Sequence, residues 1–260
     1  MARAMTRLED LRCLVTGASS GLGRAIATRL AAEGARCAIT GRNVERLGEV
    51  ARSIGAHAIV ADHTQTADNE RTIAEAVAAL GGLDVLINNA GIIGNDGALA
   101  PKPALFRQLL ETNLVSVYEL STFAAPHLVL SAEAGREASI LNLSSVAGAR
   151  PYPGLLGYCT SKAAVDMLTQ SMAVELAPKK VRVNAIQPGV VVTSLHRSGG
   201  LDEAAYTAFL ERCKATHPLG RTGTAEEVAA LVAFLVSREA GWITGALCPI
   251  DGGRALTSLR

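Results

Sequence analysis

Short apolar runs rich in β-branched residues alternate along the chain with longer segments rich in Ala and Leu. Most of the short runs are continuously apolar, which is typical of strands covered on both faces of a parallel sheet. The pattern therefore predicts seven strands. They are Arg12–Thr16, Arg36–Thr40, Ala58–Ala61, Asp84–Asn88, Ser139–Leu143, Arg182–Ile186 and Ala246–Ile250.

The longer segments between these runs are predicted to be helices. Thr224 is placed to cap the last of them, with acidic residues in its first turn. Strand–helix alternation implies right-handed crossovers, so we expect an α/β fold with a doubly wound parallel sheet and helices on both faces, in one domain over residues 1–260. The helices are Gly21–Glu33, Val44–Arg52, Asp68–Leu80, Ala104–Leu130, Tyr158–Leu176 and Ala225–Ser237.

One long region, from Val191 to Gly223, contains no predicted strand and only a short helical piece, Asp202–Cys213. Such an excursion inside a compact domain is usually a lid or a binding loop. We expect residues 194–217 to close over a substrate and to offer a moderately apolar surface. The alternative is that these side chains pack the segment onto the domain. The apolar candidates are Leu195, Leu201, Tyr206, Phe209 and Leu210, beside Arg197 and Arg212.

Composition and charge exclude several classes of protein. The chain has 25 basic and 24 acidic residues, so nothing suggests a nucleic-acid or anionic-membrane partner. Its apolar runs are too short to span a bilayer, and Met1–Asp10 is charged, which argues against a secretory signal or anchor. The five cysteines are far apart and form no C-x-x-C pair, which favours reduced thiols in a cytoplasmic protein.

A glycine-rich turn, TGASSGLG over Thr16–Gly23, joins the first predicted strand to the first helix. Glycines let the backbone turn tightly and approach a pyrophosphate, and the helix N-terminus offers free N–H groups and a positive dipole end. The spacing is G-x-x-x-G-x-G, which differs from the usual dinucleotide fingerprint. An ordinary glycine-bearing strand–helix turn is the alternative.

The end of the second strand bears on the choice of nucleotide. An acidic side chain there would select NAD(H), but the chain reads Thr40-Gly41-Arg42-Asn43. An arginine at this point would meet a 2′-phosphate, which favours NADP(H) over NAD(H). The alternative is that Arg42 is a solvated surface residue.

Tyr158 and Lys162 lie four residues apart on a predicted helix and so share one face. A free phenol titrates near pH ~10, and a neighbouring ammonium would lower that pKa toward neutrality. The pair is thus a plausible acid–base device. A tyrosine packed on a lysine stem is the commoner reading of such a pair taken alone.

Further motifs follow in order, and together with the glycine turn they resemble the short-chain dehydrogenase/reductase family, in its compact single-domain branch. The resemblance covers nearly the whole chain and implies a Rossmann-type fold of about seven strands. The chain is most similar to the 3-oxoacyl carrier-protein reductase-like members, a group that also contains steroid, sugar and small-ketone reductases. The matching positions are Asp62, Asn88–Gly91, Asn113, Ser145, Tyr158, Lys162, Pro188–Thr193 and Asp251–Gly253.

The resemblance implies a ketone–alcohol oxidoreductase in which Tyr158 is the proton donor and acceptor. Lys162 would lower the pKa of that tyrosine and hold the nicotinamide ribose, and Ser145 would bond the substrate oxygen. Asn113 would hold a water that relays protons; a buried amide bonding backbone is its alternative. Ser144 competes with Ser145, which we choose because family spacing places the serine thirteen residues before the tyrosine.

Cofactor contacts follow from the same resemblance. The glycine turn would meet the pyrophosphate, Asp62 the adenine amino group, and the 188–193 segment the nicotinamide carboxamide. His63 stands where the family usually has an apolar residue beside adenine, and it would stack on the ring or point to solvent. No metal is expected. The remaining contacts are Gly17, Ser19, Ser20, Gly21, Leu22, Gly23, Asn89, Gly91, Pro188, Val191 and Thr193.

We expect a small-molecule carbonyl or alcohol as substrate, and a homotetramer assembled through the helices Ala104–Leu130 and Tyr158–Leu176, which are apolar around much of their circumference. Arg136 and Lys179 are candidates for contact with an acyl carrier. The alternatives are a non-catalytic NADP(H)-binding regulator, a lyase or epimerase of a longer family branch, and an assembly scaffold.

Overall fold

A computed structural model of the protein describes residues 7–193 and 202–257. Its strands confirm the seven predicted from the apolar runs, with ends displaced by one or two residues. All their pairings are parallel. The strands are β1 (Arg12–Val15), β2 (Arg36–Gly41), β3 (His57–Val60), β4 (Val85–Asn88), β5 (Ser139–Leu143), β6 (Arg182–Pro188) and β7 (Leu247–Ile250).

The seven strands form one sheet in the order β3-β2-β1-β4-β5-β6-β7. The chain winds outward from β1 in one direction to β3, and then returns to β4 on the other side of β1. Strand order therefore reverses between β1 and β4, and in doubly wound sheets ligands bind in the crevice at the carboxyl ends of the strands at this point.

The helices flank this sheet on both faces. The predicted helix over Ala104–Leu130 is divided into two by a π-helical turn at Glu111–Val115, and the short helix α6 had no sequence prediction. The helices are α1 (Gly21–Ala32), α2 (Val44–Ile54), α3 (Thr66–Leu80), α4 (Pro103–Leu110), α5 (Ser116–Glu133), α6 (Val146–Ala149), α7 (Leu156–Leu176), α8 (Glu203–Thr216) and α9 (Ala225–Val236).

Two apolar layers hold the helices to the sheet. On one face, Ile26 and Leu30 of α1 pack with Val232 of α9. On the other face, Leu120 of α5 and Met172 of α7 pack against the opposite side of the strands, together with α3. Because both faces are covered, the strands carry apolar residues at successive positions, which explains the continuous runs in the sequence.

The start of α9 is the capping box that the sequence suggests. The Thr224 hydroxyl accepts the N–H of Glu227 at 3.2 Å, and the Glu227 carboxylate accepts the N–H of Thr224 at 2.9 Å. Two free N–H groups of the helix terminus are thereby satisfied. From this start α9 packs against α1.

Among residues 7–193 and 202–257, no helix is long and apolar enough to cross a membrane.

Candidate active site

The glycine-rich turn between β1 and α1 is shaped by backbone that other residues would not tolerate. Gly17 has φ +65°, and a methyl group there would lie 2.9 Å from Cα of Ala90. A methyl group at Gly23 would lie 2.4 Å from the carbonyl oxygen of Gly17. The turn therefore brings its backbone close to α1 and to the end of β4, as the glycine spacing predicts.

The N-terminus of α1 is left open toward this turn. Its cap residue, Ser20, makes no side-chain cap hydrogen bond, and the first turn of α1 has no acidic residue. An uncapped helix N-terminus presents unpaired N–H groups and a positive dipole end, which together suit an anion such as a pyrophosphate.

The turn is tied to its neighbouring strands by hydrogen bonds. Ala18 N–H donates to the carbonyl of Thr40 at 2.8 Å, and Gly17 N–H donates to the hydroxyl of Thr40 at 3.3 Å. The amide nitrogen of Asn89 donates to the carbonyl oxygen of Thr16 at 2.8 Å. Asn89 therefore also has a structural role, because it holds the turn against the end of β4. The sequence does not reveal this role.

Arg42 follows β2 directly and is exposed at the edge of the turn. A methyl group at Gly41 would lie 3.1 Å from the hydroxyl of Ser19, so the end of β2 adjoins the glycine-rich turn. Arg42 forms no salt bridge with any residue in the described part of the chain. Arg42 is thus an exposed residue next to a strand end that adjoins the glycine-rich turn.

Asp62 follows β3, on the far side of β2 from the glycine turn. One oxygen of its carboxylate accepts from the N–H of Thr64 at 3.1 Å and from the hydroxyl of Thr64 at 2.9 Å. Its backbone N–H donates to Asp68 at 2.7 Å. These bonds fix the direction of the carboxylate at the carboxyl edge of the sheet.

His63 does not point to solvent, so that part of the sequence-based expectation is wrong. The ring is buried, with Nε2 2.7 Å from the hydroxyl of Thr40 and Nδ1 2.7 Å from the amide oxygen of Asn69. The amide nitrogen of Asn69 donates to Glu119, so its oxygen accepts and Nδ1 of His63 carries the proton. Burial lowers the pKa of His63. The histidine thus links β2 to α3 as a neutral side chain.

Tyr158 and Lys162 lie on one face of α7 and are both buried, with 7% and 6% of their surfaces exposed. Burial raises the pKa of Tyr158 to about 12, although a side-chain hydrogen bond with Ser145 acts in the opposite direction. Burial lowers the pKa of Lys162 to about 8, against the attraction of Asp166. The Lys162 ammonium donates to the carbonyl of Leu143 at 2.7 Å.

Burial dominates the pKa of Tyr158, and the expected effect of Lys162 on that pKa stays a prediction. The ammonium nitrogen lies 5.8 Å from the centroid of the tyrosine ring and is engaged with β5. The phenol is thus held in its protonated form.

The two adjacent serines face different partners. Ser145 begins α6 and accepts the N–H of Ala147 at 3.1 Å, and its side chain acts to lower the pKa of Tyr158. The hydroxyl of Ser144 donates to the carbonyl oxygen of Lys162 at 3.3 Å. The structure thus associates Ser145 with the tyrosine and Ser144 with the backbone of α7.

Asn113 lies in the π-helical turn between α4 and α5 and is fully buried. Its amide oxygen accepts the N–H of Ile92 at 2.8 Å, and its amide nitrogen donates to the carbonyl of Ile92 at 3.0 Å. A methyl group at Gly91 would lie 3.2 Å from the Asn113 oxygen and 3.7 Å from the Lys162 ammonium. Asn113, Gly91 and Lys162 therefore meet at one point.

The segment after β6 crosses the open end of α1. Val191 forms a parallel bridge with Gly223, which turns the backbone N–H and carbonyl of Val191 away from Gly223, toward the other side of the segment. A methyl group at Gly21 would lie 3.6 Å from Cβ of Thr193. Pro188, the last residue of β6, is buried at the start of this segment.

The expected lid is described only from Asp202 onward; Leu195, Arg197 and Leu201 lie outside the described residues. Asp202 caps α8 by accepting the N–H of Ala205 at 2.8 Å. Tyr206 is 1% exposed, and its hydroxyl donates to the carbonyl of Thr193 at 3.1 Å. For Tyr206, the alternative reading is therefore correct, because this side chain packs α8 onto the domain.

An apolar wall surrounds Tyr158, and sequence analysis did not identify it. Its members come from the loop after β4, from α4, α6 and α7 and from the segment between α6 and α7, so no single segment carries a signal for it. They are Ile92, Ile93, Leu105, Leu109, Ala147, Tyr152, Leu155 and Cys159. Within the described residues, no group of His, Cys, Asp and Glu side chains is placed to hold a metal ion.

Comparison with known proteins gives consistent matches over nearly the whole chain. The family model described as enoyl-(acyl carrier protein) reductase matches residues 17–255. A 3-oxoacyl-(acyl-carrier-protein) reductase of Thermotoga maritima is 35% identical over 252 residues, covering 95% of this chain and 98% of the relative. An L-xylulose reductase of Mus musculus is 35% identical over 251 residues, covering 95% and 97%.

Solved structures of oxidoreductases also match this chain over nearly its whole length. A 3-ketoacyl-(acyl-carrier-protein) reductase from Brucella melitensis, complexed with NADH, has a TM-score of 0.89 and 33% identity to this chain. The match covers 95% of this chain and 99% of that one. An aldohexose dehydrogenase of Thermoplasma acidophilum in ligand-free form also has a TM-score of 0.89, at 34% identity over 99% of this chain and 98% of that one.

Proposed function

The chain belongs to the short-chain dehydrogenase/reductase family, and on that premise we propose that Tyr158 is the proton donor and acceptor of its reaction. The protein is an NAD(P)-dependent oxidoreductase that interconverts a carbonyl and a secondary alcohol. The observation that supports the role of Tyr158 is its burial in an apolar wall, together with the Ser145 side chain, which lowers the pKa of the phenol against the effect of burial.

The residues of the crevice fit a nicotinamide dinucleotide. A backbone turn that a methyl group would obstruct, followed by an uncapped helix N-terminus, suits the pyrophosphate. We propose that the side chains at the ends of β3 and β4 hold the adenosine, and that Val191 and Thr193 hold the carboxamide. The pyrophosphate contacts would come from Gly17, Ser19, Ser20, Gly21, Leu22 and Gly23, and the adenosine contacts from Asp62, Asn89 and Gly91.

A nicotinamide dinucleotide held by these residues would supply the hydride for reduction of a carbonyl carbon and accept it in oxidation of an alcohol. Tyr158 gives its hydroxyl proton to the substrate oxygen in reduction and takes it back in oxidation. Ser145 bonds the same oxygen and orients it toward the phenol. Burial suits this task, because it keeps the phenol protonated at neutral pH until charge develops on the substrate.

We propose that Lys162 and Asn113 assist proton transfer by Tyr158. We propose that the Lys162 ammonium leaves the carbonyl of Leu143 to bond the nicotinamide ribose, and that it there favours the phenolate form of Tyr158. Asn113 holds the backbone at Ile92 and would position a water that carries protons from Lys162 to solvent.

Arg42 supports a preference for NADP(H) over NAD(H). Arg42 directly follows β2, whose end adjoins the glycine-rich turn and carries no carboxylate, and the nucleotide ribose is expected at this strand end. A 2′-phosphate there gains a charge-assisted hydrogen bond, whereas a 2′-hydroxyl gains much less.

The substrate pocket favours an apolar ketone or its alcohol. The wall around Tyr158 is built mostly of aliphatic side chains, so a polyol would lose hydrogen bonds to water without replacement. A 3-oxoacyl, steroid or small-ketone substrate fits this wall better than a sugar does. Arg136 is not free to meet an acyl carrier, because its guanidinium bonds Asp84 at 2.8 Å.

We further propose one functional domain that acts in a homotetramer in the cytoplasm. Two helices beside the site expose large apolar residues that a partner subunit would cover. The five cysteines are free, which suits a reducing compartment. The exposed apolar residues are Tyr118 and Leu130 of α5 and Met167 and Val174 of α7.

The test is a panel of apolar ketones, sugars and the corresponding alcohols, assayed by nicotinamide absorbance with NADPH and with NADH. Turnover of apolar ketones that exceeds turnover of sugars supports the proposal. The alternative, a non-catalytic NADP(H)-binding regulator, predicts cofactor binding with no turnover of any substrate. Preferential turnover of sugars would contradict the proposed substrate class.

A further inference from the structure

A buried histidine joins the end of α8 to the segment that follows β6. His217 is the residue directly after α8 and is 3% exposed. Its Nδ1 lies 2.6 Å from the carbonyl oxygen of Cys213, and its Nε2 accepts the backbone N–H of Val190 at 3.2 Å. Both ring nitrogens are therefore used, and each faces a group of fixed polarity.

These two partners determine the protonation state of the ring. A carbonyl oxygen can only accept a hydrogen bond, so Nδ1 of His217 carries a proton. A backbone N–H can only donate, so Nε2 carries none. The contact with Val190 therefore exists only while His217 is neutral. Protonation would place two N–H groups against each other at a buried position.

The backbone N–H of Val190 bonds a side chain, whereas the N–H groups of its neighbours bond backbone carbonyls. The N–H of Gly189 donates to the carbonyl of Ile250 at 3.0 Å, and the N–H of Val192 donates to the carbonyl of Gly223 at 3.3 Å. The N–H of Val190 is donated to His217. The N–H of Val190 is part-buried and loses its acceptor when Nε2 carries a proton, so the segment and α8 separate more easily once His217 is charged.

The same segment is held by α8 at a second point. The hydroxyl of Tyr206, near the start of α8, donates to the carbonyl of Thr193 at 3.1 Å. The two contacts span the length of the helix, so α8 docks on residues 190–193 at both of its ends. Val191, which lies between the two contact points, turns its backbone N–H and carbonyl away from Gly223.

We propose that His217 is a positioning residue that docks α8 on the 190–193 segment as a neutral imidazole, so that cofactor affinity falls when His217 is protonated. The inference rests on the proposed contacts of Val191 and Thr193 with the nicotinamide. It assigns to His217 no contact with cofactor or substrate.

The charges around His217 agree with a neutral ring. Burial lowers its pKa most, Arg254 beyond β7 lowers it further, and the bond to Cys213 and the carboxylate of Asp251 oppose this shift. When α8 is undocked, the ring regains its ordinary pKa of 6.5. The contribution of His217 to docking is therefore complete above pH 6.5 and is lost as the pH falls from 6.5 toward the lowered pKa.

The test measures cofactor dissociation constants by calorimetry at several pH values. The ligand is NADH, which lacks the 2′-phosphate that would itself titrate. His217→Gln keeps an acceptor of similar reach toward Val190 but cannot titrate. His57→Gln is the matched control, because His57 is exposed on β3, on the opposite edge of the sheet.

One pH unit below the ordinary pKa of histidine, the wild-type dissociation constant should rise up to about tenfold relative to its value above neutrality. His57→Gln should follow the wild type, and His217→Gln should show a much smaller rise. Wild type and His217→Gln share every other titrating group, so the ratio of their dissociation constants at each pH reports the effect of His217. An equal acid-dependent loss in wild type and His217→Gln would overturn the proposal.

A second readout needs no cofactor. Hydrogen exchange of peptides that contain Val190, corrected for the intrinsic effect of pH, should show lower protection of wild type in acid and little change in His217→Gln. If His217→Gln does not fold, His217→Asn is measured in its place. Protection that is independent of pH in wild type would also overturn the proposal. Failure of wild type to bind NADH or NADPH at every pH would instead refute the proposed function, while the exchange result still decides the docking of α8.

Discussion

The ammonium nitrogen of Lys162 lies 5.8 Å from the centroid of the Tyr158 ring and donates to the carbonyl oxygen of Leu143. The pair shares one face of α7, as a spacing of four residues requires. The lysine nevertheless bonds β5, so the acidity of the phenol is decided mainly by burial. Tyr158 therefore remains a proton donor at neutral pH. Lys162 would lower the pKa of Tyr158 only after it leaves the carbonyl of Leu143.

Tyr158→Phe should reduce turnover by about two to four orders of magnitude, the range expected for loss of a general acid. The dissociation constant for NADPH should stay within about twofold, because the ring that packs in the apolar wall remains. Steady-state kinetics and calorimetry on one preparation check both statements. Turnover close to that of wild type would remove Tyr158 from the mechanism.

Ser145→Ala should lower kcat far more than Ser144→Ala. Ser145 influences the pKa of Tyr158 and would bond the substrate oxygen, whereas the Ser144 hydroxyl donates to the backbone carbonyl of Lys162. Ser144→Ala should instead appear in thermal stability, since it removes a buried hydrogen bond worth about 1 kcal/mol. The reverse order of kcat values would show that Ser144 is the residue that contacts substrate.

Arg42→Ala should raise the KM for NADPH while that for NADH changes little. The expected loss of affinity for NADPH is about 1.5–3 kcal/mol, the value of a hydrogen bond to a charged group. Arg46→Ala on α2 is a matched control, because it removes an exposed arginine a few residues away. Equal effects of Arg42→Ala on both cofactors would remove the argument for NADP(H).

Tyr158 should not ionise where an ordinary tyrosine does. Its pKa is raised to about 12, because burial disfavours the charged phenolate. The difference in near-ultraviolet absorbance between wild type and Tyr158→Phe, without added cofactor, should therefore lack a phenolate band up to a pH of about 10. Phenolate that appears between neutrality and this pH would mean that attraction by Lys162 exceeds the cost of burial.

Asp84→Asn should strongly destabilise the fold. Asp84 is fully buried and bonds both Arg12 and Arg136. Removing one partner of a buried ion pair costs about 3–5 kcal/mol, which denaturant titration would measure. Glu75→Gln is the control, since its pairing with Arg71 is exposed and worth about 0–1 kcal/mol.

The pH dependence of stability gives a second check on Asp84. Burial alone would raise its pKa, but the hydrogen bonds from Arg12 and Arg136 prevail and lower it from 3.8 to about 2. The stabilisation is therefore complete above pH 3.8 and is lost as the pH falls toward about 2. Asp84→Asn should lack this acid-dependent component, and a difference between the two proteins that does not change with pH would contradict the assignment.

The architecture could be predicted from the sequence because its signals are local. A strand covered on both faces needs successive apolar residues, and the β1–α1 turn needs glycine where φ is positive or a methyl group would collide, as at Gly17 and Gly23. Such requirements act on residues that are neighbours in the chain. The sequence alone thus determined the parallel sheet, the position of the glycine-rich turn, the helix cap at Thr224 and the shared face of Tyr158 and Lys162.

Other features depend on contacts between distant segments, so no local pattern could show them. Only tertiary packing decided that Asn113 bonds Ile92 from a π-helical turn and that His63 is buried between Thr40 and Asn69. It likewise decided that His217 accepts the N–H of Val190, 27 residues earlier in the chain. The physical reason is that a polar side chain takes its role from the donor or acceptor it meets once water is excluded, and which groups meet is set by how helices and strands pack.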